Sequence, residues 1–230
     1  NHYEFIVNGI LVLNNANVSK VGWTGTENLG GLFINNTATI VDSFINNYVG
    51  LIIKSGGSNT VINDTLIKGK SNSEYGIIAD DATGLELNNV NITEVEGNSD
   101  QVFGIYFDNT DNLLINNLRV SNMSVGNVLQ IAKGIYLDNI DSAVIKDVYL
   151  DNFGGSNFGG HLGLVIGNST DLEVGGVFIT NLIGSTGDTM GLKVVNTQAS
   201  TIENISISEF TGPHYKFDNF DSSKLNNLTS

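Results

Sequence analysis

The chain has 230 residues, including 27 Gly, one Pro and no Cys, and 24 acidic against 10 basic residues give a net charge of −14. Because nucleic-acid binding needs a face rich in Lys and Arg, this balance argues against a nucleic-acid partner. The lack of Cys excludes disulfides and Cys-ligated zinc, and no apolar run approaches the ~20 residues of a membrane span.

The chain contains an internal repeat, and each copy begins with Gly followed by an aliphatic residue. From Gly50 onward the copies recur at intervals of 26 to 30 residues, and Gly31-Leu32 precedes them. Repeats of this length indicate a solenoid. The copies are Gly50-Leu51, Gly76-Ile77, Gly104-Ile105, Gly134-Ile135, Gly163-Leu164 and Gly191-Leu192.

Apolar residues at the first and third positions after each Gly predict a first strand with one buried face, as at Ile77 and Ala79. Apolar pairs recur at the ninth and eleventh positions and at the fourteenth and sixteenth. This change of parity requires a tight turn at the thirteenth position. That position holds Asn89, Asn117, Asp147, Gly176 and Asn204, and similar polar columns follow at the fifth position (Asp81, Asn109, Asn139, Asn168, Asn196) and the eighteenth (Asn122, Asn152, Asn181).

These columns predict an all-β fold, a single-stranded right-handed parallel β-helix of about eight rungs with three short strands each. Equivalent positions on adjacent rungs would stack ~4.8 Å apart, so Asn89, Asn117, Asp147 and Asn204 are expected to form a hydrogen-bonded ladder. A leucine-rich or helical solenoid is opposed by the two-residue apolar spacing. We expect residues 1–230 to form one β-helix domain, part of a longer chain or assembly.

With this register, the chain resembles the pectate-lyase-like right-handed β-helix superfamily over nearly its whole length. Its recurring Gly-Ile and Asn-x-x-Ile-x-Asn sequence pattern is most similar to that of NosD-like and adhesin-like surface proteins. The resemblance concerns fold rather than activity. The resemblance implies that substrate lies along the first strand in the enzymes of this superfamily, beside the loop that follows the third strand.

Residues on the outward face of the first strand are therefore the candidate site. Asp80, Asp108 and Asp138 would stack on three consecutive rungs, and Tyr106 and Tyr136 flank two of them. Tyr106, Tyr136, Asp108 and Asp138 suit a carbohydrate, and the three carboxylates are candidates for catalysis or for a calcium ion. Adjacent rungs would separate two carboxylates by about 5 Å and alternate rungs by about 9.6 Å, as in retaining and inverting glycosidases respectively. Alternatively, each Asp only begins a turn, and no cofactor is needed.

Catalytic motifs of the related enzymes are incomplete. Polygalacturonases contain Asn-Thr-Asp, Asp-Asp and Gly-His-Gly in that order, whereas here Asn109-Thr110-Asp111 follows Asp80-Asp81 and Leu162 follows Gly160-His161. A lyase would have to use Lys133 or Lys216 as its base. His161 and His214 are expected to be solvent-exposed residues of variable loops, which we place at 93–103, 124–133, 154–162, 184–190 and 211–216.

Three functions remain open. The leading hypothesis is an extracellular or cell-surface structural or adhesive β-helix that contacts other subunits, further rungs or surface glycans. The alternative is a polysaccharide lyase, hydrolase or tailspike-like depolymerase, and the third is a periplasmic helper of the NosD-like type. Eight Asn-x-Ser/Thr sequons are glycosylation candidates: Asn17, Asn35, Asn63, Asn91, Asn122, Asn168, Asn204 and Asn227.

Overall fold

The computed structural model describes residues 5–19, 21, 24–25, 28–29, 31–46, 50–69, 74–97, 101–125, 131–155, 160–184, 189–210 and 212–230. In them, parallel strands pair from rung to rung in one continuous sheet. This confirms the predicted all-β, single-stranded parallel β-helix. No helix in the described ranges has the length and apolar character needed to cross a membrane.

The first strands stack in register, so that Ile77 lies opposite Ile105 and Ile105 lies opposite Ile135. They are Phe5–Val7, Leu32–Ile34, Leu51–Ile53, Tyr75–Asp80, Gln101–Asp108, Ile131–Asp138, His161–Gly167, Met190–Gln198 and Tyr215–Asp221.

Second and third strands are separate in the early rungs and continuous in the later ones. The separate strands are Leu11–Asn14, Asn17–Ser19, Ala38–Val41, Phe44–Asn46, Val61–Asn63 and Leu66–Lys68. The continuous ones are Glu86–Thr93, Leu113–Val125, Asp141–Gly155, Thr170–Leu182, Thr201–Phe210 and Lys224–Thr229. Minor elements are the strand Glu96–Gly97, the antiparallel pair Thr24–Gly25 and Asn28–Leu29, and the 3-10 turn Ser55–Gly57.

The core is the inside of the solenoid, where the predicted apolar columns meet. Ile105 and Phe107 of one first strand are fully buried, as are Leu118 and Val120 of the third strand of the same rung. Because every rung repeats this pattern, burial of apolar side chains stabilises each rung against its two neighbours.

The thirteenth position of each rung is a turn, as its backbone shows. Asn89, Asn117, Asp147, Gly176 and Asn204 all have positive φ, between 50° and 65°. Asn and Gly tolerate this left-handed conformation better than other residues do. The polar columns at the fifth and eighteenth positions also have positive φ throughout.

Amides connect this turn column from rung to rung. Asn117 Nδ2 donates to Asn89 Oδ1 at 2.6 Å, and Asn89 Nδ2 donates to Asp64 Oδ1 at 2.9 Å. Asp147 has no donor and Gly176 has no side chain, so the column of amide bonds is interrupted at those two rungs.

The expectation that His161 lies in an exposed loop is wrong. His161 begins a first strand and is only 2% exposed, because its side chain enters the core column that also contains Ala132. His214 lies outside a strand, where its ring packs 5.2 Å from Phe210. The predicted loops are also shorter than expected, since the strand ending at Gly155 extends into one of them.

Candidate functional site

The pleat of the first strands changes parity at Gly104 and Gly134. Val102 and Ala132, two positions before their glycines, are fully buried, whereas Phe103 and Lys133, directly before the same glycines, join the outward side chains. Strict alternation from the buried positions after the glycine would have placed Phe103 and Lys133 inside. The change of parity brings three further residues to the predicted face, namely Tyr75, Phe103 and Lys133.

Four aromatic rings form an interlocked cluster there, which we call the aromatic pocket. Tyr106 and Tyr136 stack with centroids 5.3 Å apart, and Tyr75 and Phe103 stack at 5.2 Å. Phe103 meets Tyr106 edge to face at 5.0 Å. The rings fix one another, and together with Glu74, Gln101 and Lys133 they line a cavity of about 520 Å³.

Lys133 places its amine against this cluster. Its Nζ lies 4.3 Å from the ring centroid of Tyr136 and 5.0 Å from that of Phe103, and it donates to Gln101 Oε1 at 2.7 Å. Burial lowers the pKa of Lys133 to about 8, Lys193 adds to this effect, and Asp138 opposes it. Contact with the ring faces also favours the charged form and so opposes the lowering.

The three predicted carboxylates stand in register beside the pocket, with Asp80 opposite Asp108 and Asp108 opposite Asp138. Amides of the following rungs hold two of them: Asn139 Nδ2 donates to Asp108 Oδ1 and Asn168 Nδ2 to Asp138 Oδ1, both at 2.8 Å. Because one oxygen of each carboxylate is part of the inter-rung bonding, Asp108 and Asp138 have a structural role in addition to any contact with a ligand.

The same carboxylates act on the tyrosines. Burial, then Asp138, raises the pKa of Tyr136 to about 12, and the Tyr136 hydroxyl donates to Asp138 Oδ2 at 3.4 Å. Burial also raises the pKa of Tyr106, with smaller contributions from Asp108, Asp138 and Asp80. Both phenols therefore stay protonated near neutral pH, as hydrogen-bond donors with uncharged rings.

The described side chains offer little support for a metal ion. Among the described side chains, no group of three or more His, Cys, Asp or Glu is arranged to hold a metal. The calcium ion suggested for Asp80, Asp108 and Asp138 stays a prediction.

Several sequon amides are already in use as hydrogen-bond donors. The Nδ2 atoms of Asn35, Asn122, Asn168 and Asn227 bond to neighbouring rungs, so a glycan on any of them would replace one hydrogen of an amide that already donates to a neighbouring rung. Asn17 and Asn91 are exposed on their strands. Glycosylation of the eight sequons remains a prediction.

Sequence reasoning placed Tyr106, Tyr136 and the carboxylates on the first-strand face but missed Tyr75, Phe103 and Gln101. It named Lys133 only as a base that a lyase would have to use, without placing it on this face. The available signal was the aromatic residue directly before Gly76 and Gly104. It was hidden because strict alternation assigns that position to the core.

Comparison with known proteins adds no assignment. No family model and no curated protein matches the chain. A solved structure of a GH87 alpha-1,3-glucanase catalytic domain variant, in complex with tetrasaccharides, aligns with 96% of the chain at 11% identity and a TM-score of 0.27. The chain covers 59% of that structure. A likeness at this TM-score carries no argument about activity.

Proposed function

We propose that this β-helix binds a saccharide on its first-strand face, as a non-catalytic surface or adhesive protein. The observation that supports this most is the aromatic pocket beside Asp108 and Asp138. Sugars are recognised by aromatic rings, against which their C–H groups pack, and by fixed polar groups that bond to their hydroxyls. Tyr106, Tyr136 and the carboxylates offer both in one place.

The location outside the cell is part of the proposal. A chain without Cys has no free thiol to oxidise in an extracellular environment, and the net charge of −14 favours solubility. Other subunits or further rungs of the same protein are the proposed partners besides glycans.

The binding test uses affinity electrophoresis in gels that contain neutral, acidic or amino-sugar polysaccharides. Tyr136→Ala removes one ring of the Tyr106 stack and a donor to Asp138, so we expect at least tenfold weaker retardation than for the wild type. Tyr149→Ala is the matched control, because Tyr149 stacks on Phe178 at 5.0 Å and is 43% exposed, in the third-strand region. Retardation by none of the polysaccharides, or equal loss in both variants, would contradict the proposal.

A second candidate function is polysaccharide cleavage by Asp108 and Asp138. It is favoured by their position on adjacent rungs, about 5 Å apart by strand spacing, which approaches the separation in retaining glycosidases. Cleavage needs two carboxyl groups in different environments, one as the acid and one as the nucleophile. Asn139 and Asn168 give Asp108 and Asp138 the same kind of hydrogen-bond partner, which favours binding over cleavage. New reducing ends or unsaturated products with the wild type, lost in Asp108→Asn and Asp138→Asn but kept in Asp141→Asn, would establish cleavage.

A further inference from the structure

The amine of Lys133 contacts different groups from those of three ion-paired lysines of the structure. Lys68, Lys146 and Lys216 form ion pairs with Glu94, Glu173 and Asp218, at 2.6 to 3.0 Å. Among the described residues Lys133 has no such pair, and its hydrogen-bond acceptor is the neutral amide of Gln101. A carboxylate partner stabilises the ammonium form of a lysine, and Lys133 lacks one among the described residues.

The surroundings of Lys133 also leave its amine accessible to a ligand. The side chain lines the 520 Å³ cavity together with aromatic rings and Glu74, and the neighbouring charge of Lys193 disfavours a second positive charge. An amine that is partly desolvated and close to another cation is the arrangement that activates lysine as a nucleophile.

We propose that Lys133 is a covalent capture site for carbonyl compounds, and that the class which fits its pocket is the open-chain aldehyde of a reducing saccharide. The choice of a saccharide rests on the proposed function, whereas the reactivity of the amine does not. Capture would retain a chain end at the first-strand face.

The reaction is imine formation and needs no oxidant or reductant. The neutral amine attacks the carbonyl carbon, a C–N bond forms, and the carbonyl oxygen takes up a proton while the nitrogen loses one. In the resulting carbinolamine the C–O bond breaks, the hydroxyl leaves as water with the remaining proton of the nitrogen, and the nitrogen lone pair forms the C=N bond. The products are the imine and one water molecule.

The ionisation of Lys133 supports this reaction near neutral pH. At pH 7.5 an amine with a pKa of about 8 is neutral about two hundredfold more often than an ordinary lysine. A less basic amine is also a weaker nucleophile, so we expect a net rate advantage of about tenfold. Asp138 and the ring faces act against the neutral form, and Glu74 lies in the same cavity.

The first experiment measures labelling of each lysine of the intact chain by glycolaldehyde and cyanoborohydride at pH 7.5, with peptide mass spectrometry. Lys133 is expected to react about tenfold faster than Lys193 of the same face, and the difference should shrink near pH 10.5, where ordinary lysines also become neutral. Equal or slower labelling of Lys133 at pH 7.5 would overturn the proposal.

Gln101→Glu provides the matched variant. It places a carboxylate where the neutral acceptor stands, so labelling of Lys133 should slow severalfold while that of Lys193 is unchanged. An unchanged rate for Lys133 in this variant would contradict the assignment.

The saccharide class is tested separately with a reducing tetrasaccharide and its alditol. Labelling of Lys133 by the reducing sugar, weakened in Tyr136→Ala, supports the class. If glycolaldehyde labels Lys133 selectively but no saccharide does, the amine site stands and the saccharide assignment falls. Failure of polysaccharide binding in the gels is thus distinguished from failure of the amine to react.

Discussion

His161 places an imidazole inside the solenoid, in a column that contains Ala132 on one adjacent rung and Thr189 on the other. Its Nδ1 is buried and has no hydrogen-bond partner among the residues that the structure describes. Burial therefore lowers the pKa of His161, since the charged ring would lose its hydration without a compensating contact.

This burial predicts a pH-dependent stability. Below the unfolded-state pKa of about 6.5 the unfolded chain binds a proton that folded His161 resists, so acidification lowers the free energy of unfolding until the folded pKa is passed. The slope is at most about 1.4 kcal/mol per pH unit. Urea unfolding of wild type and His161→Thr at pH 7.5 and 5.5 should show a smaller decrease in the variant. His214→Thr is the control. The same decrease in the wild type and in His161→Thr would contradict the assignment of this pH dependence to His161.

Asn117 shows what each residue of the turn column contributes. It combines a φ of 50° with the amide bond to Asn89, two properties that a substitution can separate. The equivalent position of another rung, Gly176, keeps the positive φ and lacks the amide.

Asn117→Ala should lower the free energy of unfolding by about 2 kcal/mol, because it loses a hydrogen bond and leaves a Cβ residue in the left-handed region without the Asn side chain. Asn117→Gly should cost about 1 kcal/mol, since only the hydrogen bond is lost. Urea denaturation measures both, with the exposed neighbour Asn116→Ala as control. Equal losses for Ala and Gly would show that backbone conformation contributes nothing.

At the scale of the element, the glycine that begins each repeat is required by close contact between rungs. A Cβ on Gly104 would lie 2.5 Å from the carbonyl oxygen of Gly134, and one on Gly163 would lie 2.5 Å from that of Gly191. Both distances are below van der Waals contact. At Gly104 and Gly134 the pleat also changes parity, so these glycines separate the buried column from the aromatic pocket.

Gly104→Ala is therefore expected to destabilise the protein by about 1 to 3 kcal/mol through overpacking. Gly154→Ala is the control, because nothing lies within 4 Å of its added Cβ. Thermal unfolding followed by circular dichroism should show a lower midpoint for Gly104→Ala alone. An unchanged midpoint would mean that the rungs can separate locally at no cost.

At the scale of the whole molecule, the solenoid converts a repeat in sequence into columns in space. Tyr106 and Tyr136 are 30 residues apart in the chain and stack at 5.3 Å. Asn139 and Asp108 come within hydrogen-bond distance in the same way. The site thus combines contacts between rungs with contacts inside single strands, and its geometry depends on the register of neighbouring rungs.

The sequence by itself determined the strand register, the buried columns and the turn at the thirteenth position, because two-residue periodicity and a column of Asn depend only on local backbone geometry. It also identified Asp80, Asp108 and Asp138 on the face. Only the tertiary structure decided that Phe103 and Lys133 point outward and that His161 points inward, since the parity change at the glycine arises from close packing between rungs. That packing brings Lys133 to the aromatic pocket.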